Sequence, residues 1–503
     1  MNSDITLDKV TSKEIKSSEQ LKLHTVDENL CSRPVDRALQ LISLGEEVQK
    51  LSVIQGIPEL LEEDRAGCLQ KVVPKMQQAL VNGSTELQTT ASLALRNIVQ
   101  GNVISLDLFV CHFLHTIMQS MDSRDPVVAN SWTDTLLEVI KVLPVTVLQA
   151  EVAPLAISRA QMVKAVPLRI SSCKIIGELA VRYDPQTLKK DLLPTVLSLC
   201  QDVNGDVRAE IALQLSRIAQ HLGPDLARSH ITQPLIELSS DEVARVKENA
   251  FVTIVETINF FPLDSLKSAI MPLLKQMIVL SFRQEDTLLV TVARMFGKMC
   301  LGIKKHISES EKDVYLKWYE TMAGFGINSS KKDNGHFDRR YTEDTFHDSE
   351  LSPTHRNTQC REQCAYNFPT IAKFCSGSPK KDPFEQIQNS LKMMVADPCF
   401  VVRKAIASCF HEICTIFWSN YVFLKDEFGL LCRDDSVDVL DALLPTLYSI
   451  MEIFLHNNVF KQDPHDETLG SFLKSLLKCE GTLSKGYRWR SYVTFLKQTS
   501  HFL

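Results

Sequence analysis

Apolar residues recur along this chain at helical spacing, in short blocks separated by turns that carry aspartate. Val35, Ala38, Leu39, Leu41, Ile42 and Leu44 make one stripe, and Val48, Val53, Ile57 and Leu60 make its partner. Between Leu192 and Ile258 one unit is written twice. The first copy runs Leu192-Leu193-Pro194, an apolar helix to Leu199, Cys200-Gln201-Asp202, then Asp206-Val207-Arg208 and a second helix through Ala212, Leu215 and Ile218. The second copy runs Pro234-Leu235-Ile236, a helix ending at Leu238, Asp241, then Val246-Lys247 and Ala250, Phe251, Ile254 and Ile258. Pro194 to Pro234 is 40 residues, and Asp202 to Asp241, Val207 to Val246 and Arg208 to Lys247 are each 39.

The period extends well beyond this pair. The apolar residues entering each second helix are Val48, Leu87, Val128, Leu168, Val207 and Val246, separated by 39, 41, 40, 39 and 39. Pro154, Pro194, Pro234 and Pro272 follow at 40, 40 and 38, each placed near the start of a first helix, where a missing N–H costs nothing. Two helices and a short turn cannot bury their apolar faces alone, so each hairpin needs neighbours on both sides. The pattern predicts an all-α, HEAT/armadillo-type α-solenoid of stacked hairpins, curved and elongated. Asp202 and Asp206 are placed to accept from free N–H groups at the next helix start.

Four regions follow. Residues 1–31 are polar and read as a disordered tail, and 32–326 as an N-terminal array. Residues 327–359 are rich in Asn, Ser, Asp, His and Arg and read as a flexible loop expanding one hairpin's turn; Ser352-Pro353 within it reads as a turn dipeptide, with phosphorylation the alternative. Residues 360–503 resume the array, with Asp397 to Asp434 and Val402 to Val439 both 37 apart. The last helix stops at Leu503 without a polar capping repeat, so a fragment or short isoform is expected.

Composition adds exclusions. A formal charge of −6 gives no nucleic-acid footprint. The longest apolar stretches are broken by Lys275, Arg294 and Lys298, and the N-terminus has no apolar signal region, so no membrane residence and a cytoplasmic location are expected. Fourteen cysteines read as reduced thiols, with Cys173, Cys200, Cys300 and Cys409 as small core residues. His355, Cys360, Cys364 and Cys375 lack the paired spacing of a structural metal site.

Phosphate-binding and nucleophile motifs are absent, and His411-Glu412-Ile413-Cys414-Thr415 has threonine where a zinc protease has its second histidine. No enzyme, cofactor, metal or small-molecule substrate is expected. The repeated charges remain. Arg169, Arg208 and Lys247 share one repeat position, and stacking predicts a ladder along the turn edge. With Asp125, Asp202, Asp206, Asp241, Arg245, Asp397, Arg403, Asp434 and Asp435 they form a candidate partner-binding ridge; the alternative is that each pairs with an aspartate of its own or the adjacent turn. Read as exposed, the ladder predicts that reversing Arg169, Arg208 and Lys247 leaves folding nearly intact.

Hairpins of the form Leu193-Pro194…Asp202…Val207-Arg208, with Cys364-Ala365-Tyr366-Asn367-Phe368-Pro369, Leu235-Ile236-Glu237-Leu238-Ser239 and Val437-Asp438-Val439-Leu440-Asp441-Ala442-Leu443, resemble the HEAT-repeat regulatory subunits of protein phosphatase 4. The resemblance implies a non-catalytic scaffold that binds and directs the catalytic subunit of serine/threonine protein phosphatase 4. It also implies that the turn edge receives that subunit. The alternatives are an importin-like transport carrier and a purely structural protein-binding solenoid.

Overall fold

A computed structural model describes residues 33–283, 287–327, 353–376, 382–456, 467–485 and 488–500. The expected N-terminal tail and residues 328–352 of the expected insert lie outside the described residues. Every regular element among the described residues is helical. The chain forms two compact units, Met1–Leu199 and Cys200–Leu503, so the division falls within the repeat pattern and not at the insert.

In the first unit, the second helices of successive hairpins pack side by side. Glu47–Gln55 lies against Thr85–Gln100, which lies against Pro126–Ile140, which meets Val166–Arg182. Their buried residues recur at three and four: Leu87, Ala91, Ala94, Leu95 and Ile98 in one helix, Val128, Trp132, Leu136 and Val139 in the next. Trp132 is fully buried, and its indole N–H donates to Gln88 Oε1 at 2.9 Å, satisfying the one polar atom it takes out of water. Val48 departs from its place in the repeat series: it is 74% exposed, whereas Leu87 and Val128 at the matching positions are buried.

The second unit repeats this order through Gly205–Leu222, Ala244–Thr257, Leu288–Ile303, Pro353–Cys375, Phe400–Ile416 and Val437–Leu443. The Pro353–Cys375 helix takes a second-helix place although residues 328–352 separate it from Glu309–Ala323. It begins at Pro353, so residues 353–359, expected in a flexible loop, are helical. Proline suits the first helical position, and Pro353 opens this helix; Ser352 lies outside the described residues. Gly297 lets this helix approach Leu288–Ile303, since a Cβ there would lie 2.8 Å from Asn367 Oδ1 and Thr370 Cβ. Lys304 donates to Lys373 O at 2.6 Å and Ser376 O at 2.7 Å, and Lys312 to Cys375 O at 3.1 Å, so two ammonium groups meet the negative end of the helix.

The repeat prolines do not open the first helices. The helices of 65–80, 145–159, 185–200 and 263–283 each start nine residues before Pro74, Pro154, Pro194 and Pro272, and each passes through a π turn just before its proline. Proline cannot donate to the carbonyl four residues back. The residue before it bonds five back instead: Val73 N–H to Cys68 O, Ala153 N–H to Leu148 O, Leu193 N–H to Leu188 O and Met271 N–H to Leu266 O. The widened turn keeps the helix continuous. Pro234 lies instead just inside Thr232–Ser239, after a break at Ile231. Pro369 raises the same problem inside Pro353–Cys375, and there the Cys409 thiol donates to Ala365 O at 3.5 Å, the carbonyl that the proline leaves without an amide partner.

Most of the described thiols are buried core groups, with Cys111 exposed and Cys399 and Cys409 half-buried. Burial pushes Cys200, Cys375, Cys409 and Cys479 up to about 12, so none is a thiolate at neutral pH. Cys360, Cys364 and Cys375 are buried along one helix, and among the described residues no group of three or more His, Cys, Asp and Glu is placed to hold a metal ion. Among the described residues no helix is long and apolar enough to cross a membrane.

Candidate functional site: the turn edge

At four hairpins of the second unit, the turn between first and second helices begins with an aspartate that folds the turn on itself. One carboxylate oxygen accepts the N–H two residues on: Asp202 from Asn204 at 2.8 Å, Asp241 from Val243 at 2.9 Å, Asp397 from Cys399 at 2.8 Å and Asp434 from Ser436 at 2.8 Å. Such a side chain competes with the backbone for its own turn N–H groups, which ends the first helix there. The helix cap is a separate residue. Asn204 Oδ1 accepts from Asp206 N at 2.9 Å and Val207 N at 3.3 Å, so Asp206, expected as a cap, is an exposed first-turn residue that favours the positive helix end.

Arginine then ties one turn to the next. Arg208 donates through Nε and Nη2 to the two carboxylate oxygens of Asp241 at 2.7 and 2.9 Å, and its Nη1 reaches back to Asp202 O at 2.8 Å. Arg403 repeats the arrangement with Asp434 at 2.6 and 3.0 Å and Asp397 O at 2.8 Å. Both are forked, charge-assisted pairs with the guanidinium laid flat between two turns. The Asp241 carboxyl is held below the usual range: burial pushes it up, but the Arg208 guanidinium and the Val243 N–H outweigh that. Arg208 is raised in turn by its bonds to Asp241.

Burial decides what the ridge can do. Asp202 and Asp397 are 1% exposed, Arg169 is 5% and Asp434 9%. Arg169 donates to Lys164 O at 2.5 Å, the same bond to its own turn that Arg208 and Arg403 make. Most of the ladder expected on the surface is therefore internal, its lone pairs and N–H groups spent on neighbouring turns. Arg169 and Arg208 are not the exposed residues expected from the sequence, and reversing them should disturb folding, because a reversed charge there faces carbonyls and a carboxylate in a site largely shielded from water. Exposed members remain. Asp206 and Arg245 face each other at 3.6 Å with 60% and 65% of their side chains open, and Asp435 meets Lys478 at 3.1 Å. Lys247 is half-buried. Asp125 caps its helix through Val127 N at 2.9 Å and accepts from Thr85 Oγ1 at 2.6 Å, which together hold its carboxyl below the usual range, the Thr85 bond first.

Two elements of the edge escape sequence reading. Arg361 donates to Asp397 at 2.7 and 3.1 Å and to Phe325 O at 2.9 Å, completing the ladder across the hairpin that carries the insert. Arg208 and Arg403 are the fourth residues of their helices, while Arg361 comes a full two turns in, without the valine that precedes the others. Its only sequence signal is the 36-residue spacing to Asp397. Arg159 is buried in the first unit and bonds Asp122 at 2.6 Å from a first helix, outside the position the repeat would single out. His411 and Glu412, the near miss for a metal motif, lie on the Phe400–Ile416 helix with Glu412 exposed beside Lys373 at 3.5 Å.

Stacked two-helix hairpins, proline-associated π turns and an aspartate–arginine ladder between turns define an α-solenoid of the HEAT type. Solved importin-β structures have this fold: one crystallised in ammonium sulfate matches 93% of this chain and 56% of its own at a TM-score of 0.54 with 13% identity, and yeast importin-β (Kap95p) matches 96% and 61% at 0.51 with 11%. No protein-family model matches the chain. In sequence it is 32% identical over 485 residues to the human serine/threonine-protein phosphatase 4 regulatory subunit 4 and 31% identical over 487 residues to the mouse protein, in each case across 96% of this chain. Over nearly its whole length the chain is similar to these regulatory subunits. It spans about half the length of both relatives, 54%.

Proposed function

We propose that this chain is a non-catalytic scaffold or regulatory subunit that binds and directs the catalytic subunit of serine/threonine protein phosphatase 4. The observation that carries the reading is the similarity to two named phosphatase 4 regulatory subunits across 96% of the chain. The fold supports it. Consecutive turns in register offer a long edge to a protein partner, and repeat proteins bind along such surfaces. The likeness to importin-β concerns the fold alone and gives no support to a transport carrier.

Affinity purification of the chain from cells, followed by identification of the bound proteins, tests the reading. Recovery of the phosphatase 4 catalytic subunit in near-equal amount is the expected result. Enrichment of nuclear pore proteins without a phosphatase would establish the carrier reading instead, and recovery of neither would favour a structural solenoid.

A further inference from the structure

The five most exposed large apolar side chains among the described residues are Val163 at 87%, Val203 at 79%, Leu44 and Val81 at 77% and Val48 at 74%. Each stands at a turn between the two helices of a hairpin, and all but Val203 belong to the first unit. Val127 at 58% and Met162 at 49% lie at the first unit's turns as well. Scattered exposed apolar residues are normal, but one or two at every successive turn are not scatter. Hydrogen bonds hold these turns beside one another. Ser84 bonds the Glu47 carboxylate, Thr85 donates to Asp125 at 2.6 Å, and Arg159 pairs with Asp122 at 2.6 Å, linking the first turn to the second, the second to the third and the third to the fourth hairpin. Leu44, Val48, Val81, Val127, Met162 and Val163 thus form a row along one edge.

We infer that this apolar row, and not the charged ladder, is the first unit's docking surface, and that its occupant is a protein face with an apolar ridge flanked by lysine or arginine. The charge around the row sets that complement. Glu46, Glu47 and Glu86 are exposed at the first two turns; at the third, Asp122 is paired with Arg159 and Arg124 is exposed, and at the fourth Lys164 is exposed. Beneath the row Arg159 is bonded to Asp122 and Arg169 to the Lys164 carbonyl, so they hold their turns while the apolar tips and the glutamates face outward. Resting on the function proposed above, the inference assigns this face to the phosphatase catalytic subunit.

The test uses the full chain and the purified catalytic subunit of phosphatase 4, with binding followed by biolayer interferometry. The variant V48S/V81S/V127S/V163S should lose at least about tenfold in affinity, as truncation of interface anchors does, while helicity and Tm stay at wild-type values. Leu93→Ser with Val181→Ser, exposed apolar positions away from the turns, should bind as wild type. A second variant, E46K/E86K, should slow association severalfold and reduce its salt dependence. Unchanged affinity in the turn variant, with wild type binding, would overturn this surface and leave the proposed function standing. Absence of wild-type binding would overturn both. A wild-type dimer in sedimentation that the turn variant dissolves would show the occupant to be a second copy of the chain and would also overturn the assignment.

Discussion

Arg361 and Asp397, 36 residues apart, meet through two hydrogen bonds of 2.7 and 3.1 Å with side chains 6% and 0% exposed. The pair joins two consecutive turns on either side of the helix that follows the insert, and Asp397 also closes its own turn through the Cys399 N–H. Removing one partner leaves a buried charge without its counterion. Arg361→Ala or Asp397→Ala should therefore cost about 3–5 kcal/mol, and the double change to Met and Leu distinctly less than the sum. Urea unfolding of the four proteins measures the coupling.

The turn charges should divide by burial and not by repeat position. Arg208 sits at 14% exposure against Asp241 at 9%, while Arg245 is 65% open beside Asp206. Arg208→Glu should lower the melting temperature by many degrees, whereas Arg245→Glu should change stability by no more than ~1 kcal/mol. Thermal melts followed by circular dichroism separate the two; equal effects would show that the ladder is not closed to water.

Glu427 is 5% exposed, and burial raises its carboxyl above the ordinary value, against the partial relief of Lys392. A raised folded pKa favours the protonated form, so its contribution is present below the unfolded value and is lost as pH rises through the folded one. Glu427→Gln removes the cost of the buried charge. The variant should be more stable than wild type at pH 7 and indistinguishable from it near pH 4.

Glu311 has the opposite sign. The Lys275 ammonium at 2.8 Å and the Ser308 N–H at 3.1 Å hold its carboxyl down to about 2. Its contribution is complete above the ordinary carboxylate range and fades as pH falls from there toward 2. The side chain is 39% exposed, so solvent screens the effect and the difference will be small. Wild type and Glu311→Gln should differ at pH 7 and draw together as pH falls to 2 in melting experiments, with 0.5 M salt narrowing the gap.

Spacing alone carries the period of this molecule, because a helix must turn its apolar residues to one side every three or four positions and a hairpin must repeat to cover them. The second helices of the array, the place of each aspartate at a turn and the family resemblance were all legible from Val207-Arg208, Asp241 and their counterparts. Depth was not. The series that includes Val48 with Leu87 and Val128 marks a repeat position, yet whether that position is core or tip depends on what the neighbouring hairpin covers, and Val48 is left outside. Arg208 and Arg245 read alike as turn charges; only the adjacent turn, bringing Asp241 to 2.7 Å, makes one internal and leaves the other in water. The prolines show the same limit. Their recurrence reads as a helix start, but a π turn lets the helix run through, a choice made when the first turns upstream gain more from packing Leu148 or Leu188 into the core than from ending the helix early.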